Sequence, residues 1–201
     1  MHPITVPYAK AQAELAARIR EAAARCVRPV AAIDGMAASG KTTLAHALAR
    51  EIPGCAVVSM DDFFLPPGRR AERERLLANA DIERFDAEVL LPLSQGREAV
   101  YRPFVCHPEP AFAPPVRIPA QASCVIVEGA YCLHPALFGR YALRALCLIS
   151  PEEQKRRIAA RNGEAMLSRF VSEWIPLENR HIEARNLIAR CDLLIREGPA
   201  V

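Results

Sequence analysis

Two hydrophobic periods alternate along the chain and predict strands separated by helices. Apolar residues recur at helical spacing over 8–25, where Tyr8, Leu15, Ile19 and Ala22 share one face. Short continuous apolar runs bounded by turn residues predict buried strands at 30–34, 56–60, 124–128, 143–149 and 191–195. Helical spacing predicts further helices at 41–50, 71–96, 151–161 and 170–189. Strands that alternate with helices in this way are typical of a parallel α/β sheet.

One segment, 97–120, interrupts the alternation. Seven of the 17 prolines lie between Pro92 and Pro119, and the segment has no helical period. It is predicted to be a loop or a small β-ribbon, and a connection this long is usually functional. The length of 201 residues favours one domain, here predicted over 1–201 with an N-terminal helix at 8–25.

Composition and charge exclude several classes of protein. The hydrophobic share of 51% and the charged share of 24% are typical of a globular domain. A net charge of +3 is too small to indicate a nucleic-acid partner. Because no apolar run reaches about 18 residues, no membrane span is predicted. The seven cysteines form no C-x-x-C pair and no zinc spacing, which favours a reduced, cytoplasmic location. The oligomeric state is left open.

A phosphate-binding motif follows the first predicted buried strand. Residues 35–42 read GMAASGKT, which has the P-loop spacing G-x-x-x-x-G-K-[ST]. Its glycines let backbone N–H groups turn toward phosphate oxygens, and the next helix directs its positive end at the same anion. The lysine is expected to reach the β- and γ-phosphates, and the threonine hydroxyl to bind Mg²⁺. The predicted nucleotide-binding residues are Gly35, Ala37, Ala38, Ser39, Gly40, Lys41, Thr42 and Thr43. The alternative is a glycine turn that only caps a helix.

Acidic residues follow two other predicted strands, where ligands of open α/β sheets collect. Asp61, in SMDDFFLP, is predicted to face the γ-phosphate and to act as the base for a hydroxyl acceptor. The alternative is that Asp61 and Asp62 cap a helix or lie in a solvated turn. Glu128 ends the strand CVIVE and is predicted to hold Mg²⁺ directly or through water. Its alternative role is a structural hydrogen bond to a loop.

Arginines cluster around Asn162-Gly163 and predict a small lid over 157–170. Phosphoryl transfer needs mobile cations that close over the developing charge and exclude water. Arg157, Arg161 and Arg169 are the candidates, and Arg157 and Arg161 are assigned to catalysis. In a chain so rich in arginine, each of them could equally belong to a solvated face.

Taken together, these motifs resemble the uridine kinase and phosphoribulokinase family of P-loop kinases, which includes nicotinamide riboside kinases. The resemblance covers almost all of 30–195 and also includes RFDAEVL, PEEQKRRIAARNG and EWIPLENRHIEA. It implies a three-layer fold with a five-stranded parallel sheet flanked by helices, a small lid, and 97–120 on the acceptor side. It implies that Asp86 holds the sugar hydroxyls and that Tyr101 and His107 lie against a nucleobase. The alternative for 101–107 is an ordinary proline-rich hairpin.

The resulting prediction is a kinase that uses ATP and Mg²⁺ to phosphorylate a small-molecule hydroxyl, most simply the 5′-hydroxyl of a nucleoside. A kinase of another alcohol, such as a vitamin precursor or a sugar, would use the same scaffold. A regulatory nucleotide-binding protein without transfer activity is a further alternative. A nucleoside monophosphate kinase is disfavoured by the acid at Asp61, because a phosphate acceptor would call for arginines.

Overall fold

The computed structural model describes residues 3–69, 71, 78–106 and 109–197. It contains ten strands: β1 (Ile4–Pro7), β2 (Val30–Gly35), β3 (Cys55–Ser59), β4 (Ala99–Tyr101), β5 (Phe104–Val105), β6 (Ala111–Phe112), β7 (Val116–Ile118), β8 (Cys124–Glu128), β9 (Leu143–Leu148) and β10 (Leu193–Arg196). Six of them form one parallel sheet in the order β1-β10-β9-β2-β8-β3. The predicted parallel sheet is confirmed, but the predicted count of five strands is wrong by one. The additional strand, β1, extends the sheet beyond β10, and its four residues are too few to show a period.

Eight α-helices are described: α1 (Tyr8–Ala23), α2 (Lys41–Glu51), α3 (Ile82–Phe85), α4 (Leu91–Ser94), α5 (Pro151–Asn162), α6 (Glu164–Arg169), α7 (Ile175–Ala184) and α8 (Leu187–Arg190). Two π-helical segments, Asp86–Leu90 and Phe170–Trp174, connect α3 to α4 and α6 to α7. The chain is therefore helical over most of 164–190, with a break at Asn186, whose φ is 51°. No helix in the described ranges is long and apolar enough to cross a membrane.

Two buried clusters cover the two faces of the sheet. One includes Leu15 and Ile19 of α1 together with Leu44 and Leu48 of α2. The other packs the helical segments after residue 80 against the opposite face, with Phe63 and Phe85 among its members. β8 is buried at all five positions, as expected for a central parallel strand covered on both faces. The buried central strands therefore determine where the ends of β2, β3 and β8 meet.

Short antiparallel ladders form the proline-rich segment. β4 pairs with β7, and β5 pairs with β6, so the segment is a β-ribbon rather than a loop. Arg84 of α3 anchors it, because its guanidinium donates to the carbonyl of Arg102 and lies 5.2 Å from the ring centroid of Phe112. The ribbon thus stands at the edge of the sheet next to the chain that follows β3.

Candidate active site

The loop between β2 and α2 has the backbone shape of an anion-binding site. Ala38 and Gly40 both have positive φ, at 60° and 91°. Where such residues alternate with residues of negative φ, successive N–H groups turn to one side and form a concave nest. α2 begins at Lys41, so the amides of its first turn have no carbonyl partner within the helix and remain available to an anion.

Two glycines of this loop are required by the packing around them. A Cβ at Gly35, whose φ is 139°, would lie 2.0 Å from the carbonyl oxygen of Cys147 on β9. A Cβ at Gly40 would lie 2.4 Å from the phenol oxygen of Tyr8. The Tyr8 hydroxyl donates to the Gly40 carbonyl at 2.9 Å, so α1 supports the loop from outside.

The start of α2 and the end of β8 bring together the side chains predicted to hold a metal ion, and Ser59 at the end of β3 joins them. Thr42 Oγ1 donates to Glu128 Oε2 at 3.0 Å, and Ser59 Oγ donates to Glu128 Oε1 at 2.9 Å. Hydroxyl and carboxylate oxygens are ligands suited to Mg²⁺, which usually takes one or two protein groups together with substrate phosphates. Lys41 lies beside them, and its Nζ donates to the carbonyls of Gly35 and Met36, each at 2.8 Å.

A cavity of about 600 Å³ opens over the loop, and Asp61 lies in its wall together with Lys41, Thr42 and Glu128. The Asp61 carboxyl is accessible from the cavity, yet the surrounding protein still excludes much of the solvent. This burial and the negative charge of Glu128 raise the pKa of Asp61 to about 6, and the positive charge of Lys41 opposes that rise. A carboxylate with this pKa is ionised at neutral pH and accepts a proton more readily than an ordinary aspartate.

The neighbouring aspartate has a different environment. Asp62 Oδ2 accepts a hydrogen bond from the Tyr101 hydroxyl at 2.9 Å, and the Asp62 carbonyl accepts from Arg84 at 2.8 Å. Asp62 therefore ties the chain after β3 to the ribbon, whereas Asp61 faces the cavity. The two phenylalanines that follow also separate: Phe63 is fully buried, and Phe64 lines the cavity.

One side of the helical chain after β9 forms the opposite wall of the cavity. Apart from Asn162, its contributing residues recur every four or five positions: Arg157, Arg161, Met166, Phe170, Trp174 and Glu178. Arg157 donates to the Ala38 carbonyl at 3.3 Å and also pairs with Glu153 and Glu197. Arg161 donates through Nε to Asn162 at 2.8 Å. Arg169 lies outside the described lining, with its guanidinium 5.0 Å from the ring centroid of Trp174.

Asp86 and Tyr101, two of the residues expected to hold a sugar and a base, do not line the cavity in the described part of the chain. Asp86 lies outside the described lining, and its carboxylate accepts from Arg140 at 3.0 and 3.3 Å. Tyr101 is buried, and its ring centroid lies 4.9 Å from that of Phe63. His107 lies outside the described residues, although Cys106 lines the cavity. The roles expected for Asp86, Tyr101 and His107 stay predictions.

Several residues of the site were missed by sequence reasoning, notably Glu178. The residue is 8% exposed, and its Oε2 accepts from the backbone N–H of Ala37 at 2.8 Å. Burial raises the pKa of Glu178 to about 7, against the favourable charge of Lys41. The four-residue spacing from Phe170 through Trp174 to Glu178 is the signal in the sequence that would have found it.

Buried polar contacts connect the helical wall of the cavity, formed by the chain after β9, to the central sheet. Asp34, at the end of β2, accepts hydrogen bonds from the backbone N–H groups of Tyr131 and Leu133 at 3.2 and 2.7 Å. His181 Nε2 lies 3.3 Å from Asp34 Oδ2, which links α7 to β2. Tyr131, another cavity residue, has a φ of 75°, an unusual conformation for a bulky side chain. These contacts hold Tyr131 in place.

Comparison with known proteins agrees with this geometry. Human nicotinamide riboside kinase 2 is 32% identical over 139 residues, which cover 66% of this chain and 57% of that protein. The structure of a possible uridine kinase from Bacillus stearothermophilus superposes with a TM-score of 0.64 at 18% identity, covering 90% of this chain and 99% of that one. The chain is thus similar in sequence to nicotinamide riboside kinases and shares its fold with the uridine kinase-like structure.

The shared fold confirms the predicted fold class, apart from the sixth strand. A Silicibacter protein named for a fructose transport system kinase shares the fold, with a TM-score of 0.63 at 24% identity, covering 91% of this chain and 98% of that one. No family model matches the chain. The alignment with the human relative spans less than two thirds of that relative's length.

Proposed function

We propose that this protein is an ATP-dependent kinase that transfers the γ-phosphoryl group to a hydroxyl of a small, nucleoside-like molecule. The observation that carries the proposal is that one cavity is lined by both the phosphate loop and the Asp61 carboxylate. A loop of this shape binds a polyphosphate, and a carboxylate opposite it suits an acceptor whose proton must leave. The kinase names of the similar proteins support the same activity.

Each wall of the cavity has a role in the proposed reaction. The loop amides and Lys41 bind the triphosphate, and Thr42 and Glu128 hold Mg²⁺. When bound, Mg²⁺ would neutralise charge on the phosphate oxygens. Asp61 orients the acceptor hydroxyl and accepts its proton. Arg157 and Arg161 provide positive charge from the opposite wall and exclude water, so the protein acts mainly by positioning and electrostatic stabilisation.

The cavity size and lining are compatible with an acceptor of nucleoside dimensions. Aromatic side chains from three parts of the fold, Phe64, Tyr131 and Trp174, line it together with polar groups. Such walls suit a flat ring attached to a polar sugar. The names of the relatives favour a nucleoside, nicotinamide riboside or uridine, and the Silicibacter structure makes a sugar the second candidate.

The decisive test measures acceptor-dependent ADP release from MgATP with a panel of alcohols. Uridine, cytidine, nicotinamide riboside, fructose and pantothenate are supplied one at a time, and the phosphorylated product is identified by mass spectrometry. We expect turnover with at least one nucleoside and none with its 5′-deoxy analogue. The Lys41→Met variant measures background release. Tight MgATP binding without ADP release from any acceptor would favour a regulatory nucleotide-binding protein instead.

A further inference from the structure

An internal carboxylate lies on the phosphate loop. Glu178 Oε2 accepts from the Ala37 N–H at 2.8 Å, although the two residues are 141 positions apart in the chain. Ala37 lies inside the motif whose amides are expected to cradle phosphate. A carboxylate oxygen and a phosphate oxygen make the same kind of hydrogen bond to a backbone N–H, so Glu178 takes a position of the kind an anionic ligand would use.

The fold directs this carboxylate to the loop by more than one contact. Glu178 follows Trp174 on the wall that carries Phe170 and Met166, and all four line the cavity. Three residues further along α7, His181 contacts Asp34 next to the loop at 3.3 Å. The first two turns of α7 are thus held against β2 and the phosphate loop, and the carboxylate cannot easily be placed elsewhere.

We propose that Glu178 determines nucleotide affinity, because its carboxylate stands in for a phosphate oxygen at Ala37 and the triphosphate binds the form of the site in which this carboxyl is uncharged. The inference rests on the proposed function, since it assumes that the loop binds a nucleotide. It assigns to Glu178 a role in the nucleotide site rather than in the acceptor site.

The charges around Glu178 come from every element packed against it. Lys41 of α2 favours the ionised carboxylate, whereas Asp34 of β2 and Asp61 after β3 disfavour it. Arg157 and Arg161 of α5 line the same cavity, and His181 on α7 lies beside Asp34. Burial is the largest influence and raises the pKa of Glu178 to about 7. A bound triphosphate adds further negative charge, which favours the protonated carboxyl still more.

The size of the effect follows from the fraction of protein in the binding-competent form. With a pKa of about 7, about one molecule in eleven carries a neutral Glu178 at pH 8, and most do at pH 6. Apparent affinity falls in proportion to that fraction. The Glu178→Gln variant keeps an oxygen that can accept from Ala37 and removes the charge. It should bind MgATP about tenfold more tightly than the wild type at pH 8 and about equally at pH 6.

Calorimetric titration of the full chain with MgATP, without acceptor, tests this at both pH values. Glu183→Gln is the matched control, because Glu183 is an exposed acid on the same helix and its variant should bind like the wild type at each pH. Titration in buffers of different ionisation enthalpy should also show uptake of about one proton per nucleotide by the wild type at pH 8. The Glu178→Gln variant should lose this uptake.

Three results would overturn the inference. The first is that a folded Glu178→Gln variant binds MgATP at pH 8 as tightly as the wild type or more weakly. The second is that Glu183→Gln gains as much MgATP affinity at pH 8 as Glu178→Gln does. The third is that the wild type binds MgATP at pH 8 without proton uptake. The last remains decisive if the Glu178→Gln variant does not fold. If acceptor phosphorylation persists, none of these three results contradicts the proposed function. Conversely, if MgATP binds as expected but no acceptor is phosphorylated, the proposed kinase activity is refuted and the proposed role of Glu178 in nucleotide binding is kept.

Discussion

Replacement of Asp61 by asparagine tests the centre of the proposed reaction. The variant keeps the shape of the side chain and its place in the cavity wall, but it removes the group that accepts the proton. Because the pKa of Asp61 is about 6, more than nine tenths of the wild-type protein carries the ionised base at pH 7.5. General-base catalysis contributes about 10²–10⁴-fold, so kcat should fall by that factor, or about 3–5 kcal/mol in activation free energy.

The assay compares acceptor-dependent ADP release with binding of MgATP by the same variant. Affinity for MgATP should change by less than about fivefold, because Asp61 faces the acceptor side and makes no bond to the loop in the described structure. Asp62→Asn is the matched control. The adjacent side chain undergoes the same change, but it bonds Tyr101 at the ribbon, so we expect a loss of less than about tenfold.

The pH profile provides an independent check on the same residue. The active form of the base is ionised, so kcat/KM should be level above the pKa of Asp61 and fall about tenfold per unit below about pH 6. The profile is measured in the Glu178→Gln background, which removes the second carboxyl that titrates near neutrality. Retention of more than a tenth of wild-type kcat by Asp61→Asn would refute the assignment. So would equal losses in the Asp61→Asn and Asp62→Asn variants.

Three further changes test other contacts of the site. Burial raises the pKa of Glu178 from 4.5 to about 7, so stability is lost as pH rises between these two values, where only the folded protein keeps this carboxyl protonated. Glu178→Gln should therefore raise the unfolding free energy by about 1–3 kcal/mol at pH 8 and by little at pH 4, measured by urea denaturation. Tyr8→Phe removes the hydrogen bond to the Gly40 carbonyl and should lower the unfolding free energy by about 0.5–1.5 kcal/mol in the same measurement. An unchanged denaturation midpoint would contradict the role of Tyr8 in supporting the phosphate loop. Arg161→Ala should lower kcat at least about tenfold. Arg156→Ala should not, because Arg156 is exposed, pairs with Glu153 and does not line the described cavity; equal rates of the two variants would place catalysis elsewhere.

The phosphate site was predictable because its geometry is local. Eight consecutive residues specify the turn, the positive φ values of its two glycines and the start of α2, and each follows from the backbone freedom and spacing of that segment. The position of Glu128 was equally accessible, because a buried apolar run ending in an acid places that acid at the edge of a parallel sheet. Here the nearest neighbours along the chain decide the structure.

Residues with long-range partners were not predictable in this way. Asp61 and Asp62 are chemically identical neighbours, and long-range contacts such as that of Tyr101 with Asp62 give them different environments. Asp86 pairs with Arg140, a partner 54 positions away that no motif indicated.

The amino-acid sequence by itself determined the parallel sheet, the phosphate loop and the strand-end acids, since hydrophobic period and backbone sterics act over a few residues. Only the tertiary structure decided that β1 adds a sixth strand and that α7 brings Glu178 to Ala37. The physical reason is that burial and charge at a site depend on every element packed around it. The pKa values of Asp61 and Glu178 therefore arise from distant parts of the chain.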